Sequence, residues 1–312
     1  MPRLREPDPD LPRICTADQA LAAGLTRDQV RHRLRARAWQ RLARGVYLRE
    51  AEAADPRIQH IHRALATALM HPEDPIGFES AVLMHGLPLH VQVPQAVSLC
   101  VMPGAWAGRR GGVRFRQVSL PPEVFSRFIR SRVTGSQVRI TIPSFAWVQA
   151  TAHGTVADGL VIGDAGIRAG VFTALDLQSA VEIAGMQRGN RTLRVALAQI
   201  DGRRESPLES QSWAYFLRFS VPLPQLQVEI VDEWGDFIGR VDTLWPEAKV
   251  IGEVDGRSKY ETRDDVYREK RREDALRAMG FEVIRWGAAD LRSRALALRI
   301  TRTLERRGQI AS

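Results

Sequence analysis

Lysine is almost missing from this chain. Only Lys249, Lys259 and Lys270 stand among 45 basic residues, and the rest are arginine. Flexible ammonium charges therefore do not dominate the basic surface; guanidinium forks do, and they match phosphate oxygens two at a time. Cysteine is scarce too. Cys15 and Cys100 are far apart, which excludes a disulfide framework and any CxxC metal spacing, and suits a reducing cytoplasm. No run of about 18 apolar residues occurs, so no membrane-spanning helix is expected. The opening MPRLREPDPDLPR has charge and proline but no apolar core, so no signal peptide is expected there. No basic amphipathic helix with a bulky apolar face is evident, which ranks nucleic acid ahead of an anionic membrane as a partner. Internal repeats and long low-complexity tracts are also lacking.

What is present is ordinary for a globular protein: 312 residues, 44% hydrophobic, with a net charge of +9. That length suggests two to three domains of about 100–200 residues each. Three segments separate by pattern: 11–50, 56–200 and 203–312. The expected class is an α+β multidomain protein.

In the first segment, Thr16-Ala17-Asp18-Gln19 and Thr26-Arg27-Asp28-Gln29 both fit the capping box, which predicts two short helices. Gly24 sits where the first must stop. Val30 and Leu34 share one face of the second helix, and Arg27, Arg31 and Arg35 share another. Trp39 to Leu48 reads as an extended pair turning at Gly45. Helix, turn, helix and β-ribbon make a winged helix-turn-helix pattern. Arg31, Arg33, Arg35, Arg37, Arg41 and Arg44 have no acid among them. Such a helix suits a major groove, with Arg27, Arg31, Arg35, Arg41 and Arg44 as duplex-DNA contacts; the bland alternative is a solvated helix face.

The second segment predicts helices at Pro56–Met70 and Phe78–Leu87, strands at Val91–Val101, Val113–Leu120 and Val138–Ile142, a glycine-rich turn at Gly104–Gly112, and helices through Ile200. This is an α/β middle domain. His60, His62, His71, His85, His90 and His153 share no metal spacing with carboxylates and read as structural or surface histidines.

The third segment predicts a helix from Ser206 to Phe219, strands at Leu226–Val231, Phe237–Trp245 and Lys249–Val254, a helix over Glu261–Met279, a strand at Phe281–Trp286 and a last helix over Ala288–Arg307. That order suits an α/β/α sandwich. Asp242 lies within one strand, and Glu253 and Asp255 end the next. Carboxylates are depleted in strands because each needs water or a partner. The short connection Pro246–Ala248 predicts a hairpin that sets Asp242 opposite Glu253, or one place away. Two ionised carboxylates that close repel unless a cation lies between them. Oxygen ligands from Asp242, Glu253 and the Val254 carbonyl would suit Mg²⁺ or Mn²⁺. Glu209 could reach the same ion, and Lys259 could supply positive charge to a transition state. Arg240 and Arg285 would help hold a phosphate. The alternative is a hairpin whose acids pair with Arg240, Arg257 or Arg285.

SPLES, the strand holding Arg240-Val241-Asp242, the run Gly252 to Tyr260, a helix with Arg268 and Arg271-Arg272, and Gly280 to Trp286 together resemble the endonuclease-like domain related to very-short-patch repair endonucleases, of the PD-(D/E)xK fold. The resemblance implies a restriction-endonuclease-like sandwich and a Mg²⁺-dependent phosphodiesterase. Asp242 and Glu253 match its metal-binding acids and Glu209 its helix acid. Asp255 stands where members usually have lysine, a departure that leaves Lys259 as the positive group. The N-terminal segment resembles the winged-helix domain of AbiEi-type antitoxins, through Leu25-Thr26, the arginine-rich helix and Arg41 to Tyr47. That implies DNA binding and, as the non-enzymatic alternative, an antitoxin-like transcriptional regulator with a cognate toxin as partner. The middle segment is similar to the domain linking such parts, through Ser80-Ala81, His85-Gly86-Leu87 and Asp164-Ala165. It departs from them at Phe145-Ala146 and Gln149, where a polar contact is expected to be lost.

Overall fold

A computed structural model describes residues 11–185, 189–255 and 263–308, the side chains of 263–269 excepted. The protein is mixed α+β, with several small sheets rather than one large one. It divides into two compact units: Met1–His153 with Leu175–Arg188, and Gly154–Ala174 with Gly189–Ser312.

In the first unit both capping boxes form. The hydroxyls of Thr16 and Thr26 accept from the amides of Gln19 and Gln29, and each glutamine side chain accepts from the cap amide in return. They open the helices Ala17–Ala22 and Arg27–Arg35. Gly24 turns the chain between them at φ 84°, a conformation that costs little without a Cβ. Val30 and Leu34 pack into a small core with Cys15, Trp39 and Tyr47. The expected ribbon is present as Gln40–Ala43 against Val46–Leu48, antiparallel. A third strand, Ile14–Thr16, joins its other side and was not expected. Arg33 departs from the rest of the arginine run: it is buried, and its guanidinium lies over the Trp39 ring at 5.6 Å.

Helix Pro56–Met70 forms as expected, and the helix expected over Phe78–Leu87 ends earlier, spanning Phe78–Met84. The strand expected at Val91–Val101 is confined to Val97–Val101 and pairs in parallel with Val113–Gln117. The glycine-rich stretch is not only a turn, because Gly108–Arg110 adds a third strand. Ser126–Arg130 pairs with Gln137–Thr141 and was also missed. The polar contact expected to be lost at Gln149 is replaced: its Oε1 accepts from the Phe78 amide at 2.9 Å, at a residue with φ 56°. Buried His60 is satisfied by Pro94 O and Ser80 Oγ, and His85 by Thr141 O.

In the second unit, four strands form one sheet in the order Glu282–Trp286, Val250–Val254, Phe237–Trp245, Gln225–Val231. The last three form an antiparallel meander. Glu282–Trp286 lies parallel to Val250–Val254, which requires the crossover helix Arg263–Ala278. One apolar cluster joins Trp245, Val250, Val254 and Trp286 to helices Pro207–Phe219 and Ala295–Arg306. A second joins Leu244, Ile251 and Val283 to Leu276 of the crossover helix. The final helix expected over Ala288–Arg307 is divided into a 3-10 turn, Asp290–Arg292, and the helix Ala295–Arg306. Arg204, just before Pro207, is fixed by a buried bidentate pair with Asp164 of helix Val156–Arg168, at 2.6 and 2.8 Å. An ion pair this buried is tolerated because its geometry is good.

Candidate nucleic-acid interface and acidic site

Ser206 caps the helix Pro207–Phe219, its hydroxyl accepting from the Glu209 amide. This places Glu209 in the first turn, where a carboxylate suits the helix dipole. Its Oε2 accepts from the Glu205 amide at 2.9 Å and from Gln227 Nε2 at 3.0 Å. Burial raises the Glu209 carboxyl above the usual glutamate range. The nearby Asp242 charge pushes the same way, against contacts with Ser206, Glu205 and Gln227 that lower it.

The hairpin is in register from Trp245↔Val250 to Thr243↔Gly252. One more step would set Asp242 opposite Glu253, as expected from the short connection. There the Asp242 carboxylate takes the local donor instead: its Oδ2 accepts from the Val254 amide at 3.0 Å. On the neighbouring strand, Gln227 holds φ 54°, which interrupts the regular pleat at the same level. Asp242 thus belongs with Glu209 and Gln227.

Glu253 belongs elsewhere. Its Oε1 accepts from Arg272 at 2.6 Å and its Oε2 from Arg285 Nε at 3.0 Å. Arg285 also bridges to Glu273 Oε2 at 2.9 Å. The arrangement is a chain of alternating charge between the sheet and the crossover helix. Of the three arginines weighed as partners for these acids, Arg285 is on Glu253 and Arg257 lies outside the described residues. Arg240 instead pairs with Glu205 on the surface at 2.9 Å. Arg272 and Glu273 completing the network was not foreseen, because their spacing from Glu253 in sequence gives no sign of contact.

Both Glu253 oxygens already accept from guanidinium groups, and Asp242 is engaged by a backbone amide. Among the described residues, no group of three or more His, Cys, Asp or Glu side chains is placed to hold a metal. Val254 is buried in the apolar cluster. Asp255 is exposed, its amide bonded to Trp286 O. Lys259 lies outside the described residues.

The arginines named as expected DNA contacts on the first unit lie on its surface. Arg27, Arg31, Arg35, Arg41 and Arg44 are all exposed. Arg27, Arg31 and Arg41 line one cavity of about 440 Å³ at the helix pair and ribbon. Arg31 also contacts Asp28 one turn earlier. Arg44 lines a different cavity, described below.

No protein-family model matches the chain. It is 28% identical over 168 residues to the uncharacterized protein Rv2248 of Mycobacterium tuberculosis H37Rv, and equally to the uncharacterized protein MT2308 of the CDC 1551 strain. The match covers 53% of this chain and 62% of the length of those relatives. The crystal structure of Rv2827c from Mycobacterium tuberculosis is similar at a TM-score of 0.38 and 15% identity, over 65% of this chain and 76% of that one.

Proposed function

We propose that the protein binds duplex DNA through a winged helix-turn-helix formed by residues 11–50, and that its C-terminal nuclease-type sandwich serves binding or regulation rather than metal-dependent cleavage. The observation that carries the second half is the double arginine clamp on Glu253. Each Glu253 oxygen already accepts a charged hydrogen bond, so a divalent ion would have to compete with two guanidinium groups for this carboxylate. The first half rests on the exposed Arg27, Arg31 and Arg35, on the face next to the Val30 and Leu34 that hold the helix on its core. Phosphate contacts from such a face fix the protein on a duplex; base edges near the helix start would give sequence choice. This is the chemistry of an antitoxin-like transcriptional regulator.

A phosphodiesterase is the second reading, favoured by the approach of Glu209 to Asp242 with a raised glutamate. One experiment separates the two. The full chain is melted with and without 5 mM-range Mg²⁺ or Mn²⁺, on the order of a hundred times a typical weak Kd, and incubated with supercoiled plasmid. The regulator reading expects no ion-induced rise in Tm and no nicking, with footprinting on DNA upstream of its own coding sequence. Mn²⁺ stabilisation together with nicking that Asp242→Ala abolishes would overturn it.

A further inference from the structure

The first unit contains a cavity of about 720 Å³ that shares Arg44 with the expected duplex contacts but that Arg27, Arg31 and Arg35 of the helix do not line. Its volume lies within the roughly 300–1,000 Å³ usual for small-ligand clefts. Its wall is drawn from separate places: Arg44 at the ribbon turn, Arg63 on helix Pro56–Met70, His71 at that helix's end, Trp106 on the glycine-rich loop, and Arg110 and Phe115 on paired strands. No acidic side chain lines it. Three guanidinium groups with no acid among them make a basin for a polyanion.

Two further features point to a ligand. The Nε of Arg63 is buried and has no hydrogen-bond partner. A guanidinium with such a donor is under-satisfied, and an anionic oxygen meeting the part of it that lines the cavity would compensate. Trp106 is 59% exposed, unusual for the largest side chain of all. Its ring is held rather than loose: it meets Phe115 edge-on at 5.6 Å, and Phe115 meets His71 edge-on at 5.4 Å. Gly108 allows this, since a Cβ there would lie 2.6 Å from the indole. The result is a fixed, water-facing aromatic plate beside three arginines.

We propose that this cavity takes one nucleotide of a single-stranded nucleic acid, its base stacked on Trp106 and its flanking phosphates on Arg44, Arg63 and Arg110. Stacking on an exposed indole requires an unpaired base, because in a duplex both faces are covered by neighbours. The site is separate from the helix proposed to meet duplex DNA. That reading is tested at Arg31 and Arg35 with a duplex probe, so the two fail independently.

The test is fluorescence anisotropy of labelled (dT)12 on the full chain. Trp106→Ala is expected to weaken binding about tenfold, in line with the loss of one stacked base, while Trp106→Phe stays within about threefold. Arg63→Gln with Arg110→Gln is expected to weaken it similarly and to flatten its salt dependence. Because Arg63 is half-buried, melting of that variant is measured alongside; the exposed Trp106 supplies the test should it fail to fold. As competitors, dTMP and poly-glutamate are expected to act at least tenfold more weakly than unlabelled (dT)12. Three results overturn the proposal: Trp106→Ala binding within twofold of the parent, dTMP competing as well as (dT)12, or poly-glutamate doing so.

Discussion

Glu209 carries the most exposed consequence of a single carboxyl's setting. Its folded pKa is raised, burial being the first cause. Between the usual glutamate range and the raised value, the folded chain holds a proton that the unfolded chain has released. Stability from this group therefore falls as pH rises through that window, and the penalty is absent below it. Glu209→Gln removes the charge yet leaves an oxygen able to accept from the Glu205 amide and Gln227. The expected outcome is a variant more stable than the parent at pH 8 by thermal melting, with the difference closing toward pH 4. A difference independent of pH would show that the carboxyl is not titrating in a buried setting. The sequence identified this residue and its cap, because Ser-Pro at a helix start is a local signal. It could not show Gln227 beside it: a glutamine at φ 54° in a strand carries no pattern. Gln149 teaches the same lesson, since the Phe78 amide from which its oxygen accepts lies 71 residues away.

At the scale of elements, helices and strands with strong local rules were legible. The capping boxes set two helix starts, and the apolar run of Phe237–Trp245 matched its strand at both ends. The missed strands are Ile14–Thr16, Gly108–Arg110 and Ser126–Arg130. The first two have three residues each, too few to show alternation, and exist because a partner strand supplies their hydrogen bonds. The acidic hairpin was legible in register but not in outcome. Its register depends on loop length, which sequence gives; the fate of Glu253 depends on a helix returning across the sheet, which it does not. That network yields a prediction about how the crossover helix is held. Glu253→Ala leaves Arg272 and Arg285 without their shared acceptor. Since both arginines are partly solvated, with side-chain exposures of 22% and 36%, the expected loss is about 1–2 kcal/mol, below the range for fully buried charged bonds. Glu253→Gln, which keeps one acceptor, should fall between. Urea unfolding reads both, and an unchanged midpoint for Glu253→Ala would mean the clamp adds nothing.

For the whole molecule, net charge is the property that reaches furthest, and it was fully legible in composition. A charge of +9 carried almost wholly by arginine favours any polyanion at low salt, so affinity alone cannot separate a built interface from a basic surface. The salt dependence can. Each phosphate neutralised releases condensed counterions, and log K falls with log salt by about 0.9 per contact on duplex DNA. If Arg31 and Arg35 each neutralise one phosphate, replacing both with alanine should reduce the slope by about 2 as well as weaken binding. Arg203, on the second unit and engaged with Asp201 at 2.7 Å, supplies the comparison: Arg203→Ala changes net charge without touching the helix face. Duplex titrations at 50–300 mM salt, on the order of the range where such slopes are linear, should show the double variant diverging from the parent and Arg203→Ala running nearly parallel to it. Equal slopes for all three proteins would mean that the duplex meets the chain's charge and not this helix, and the winged helix-turn-helix reading would lose its ground.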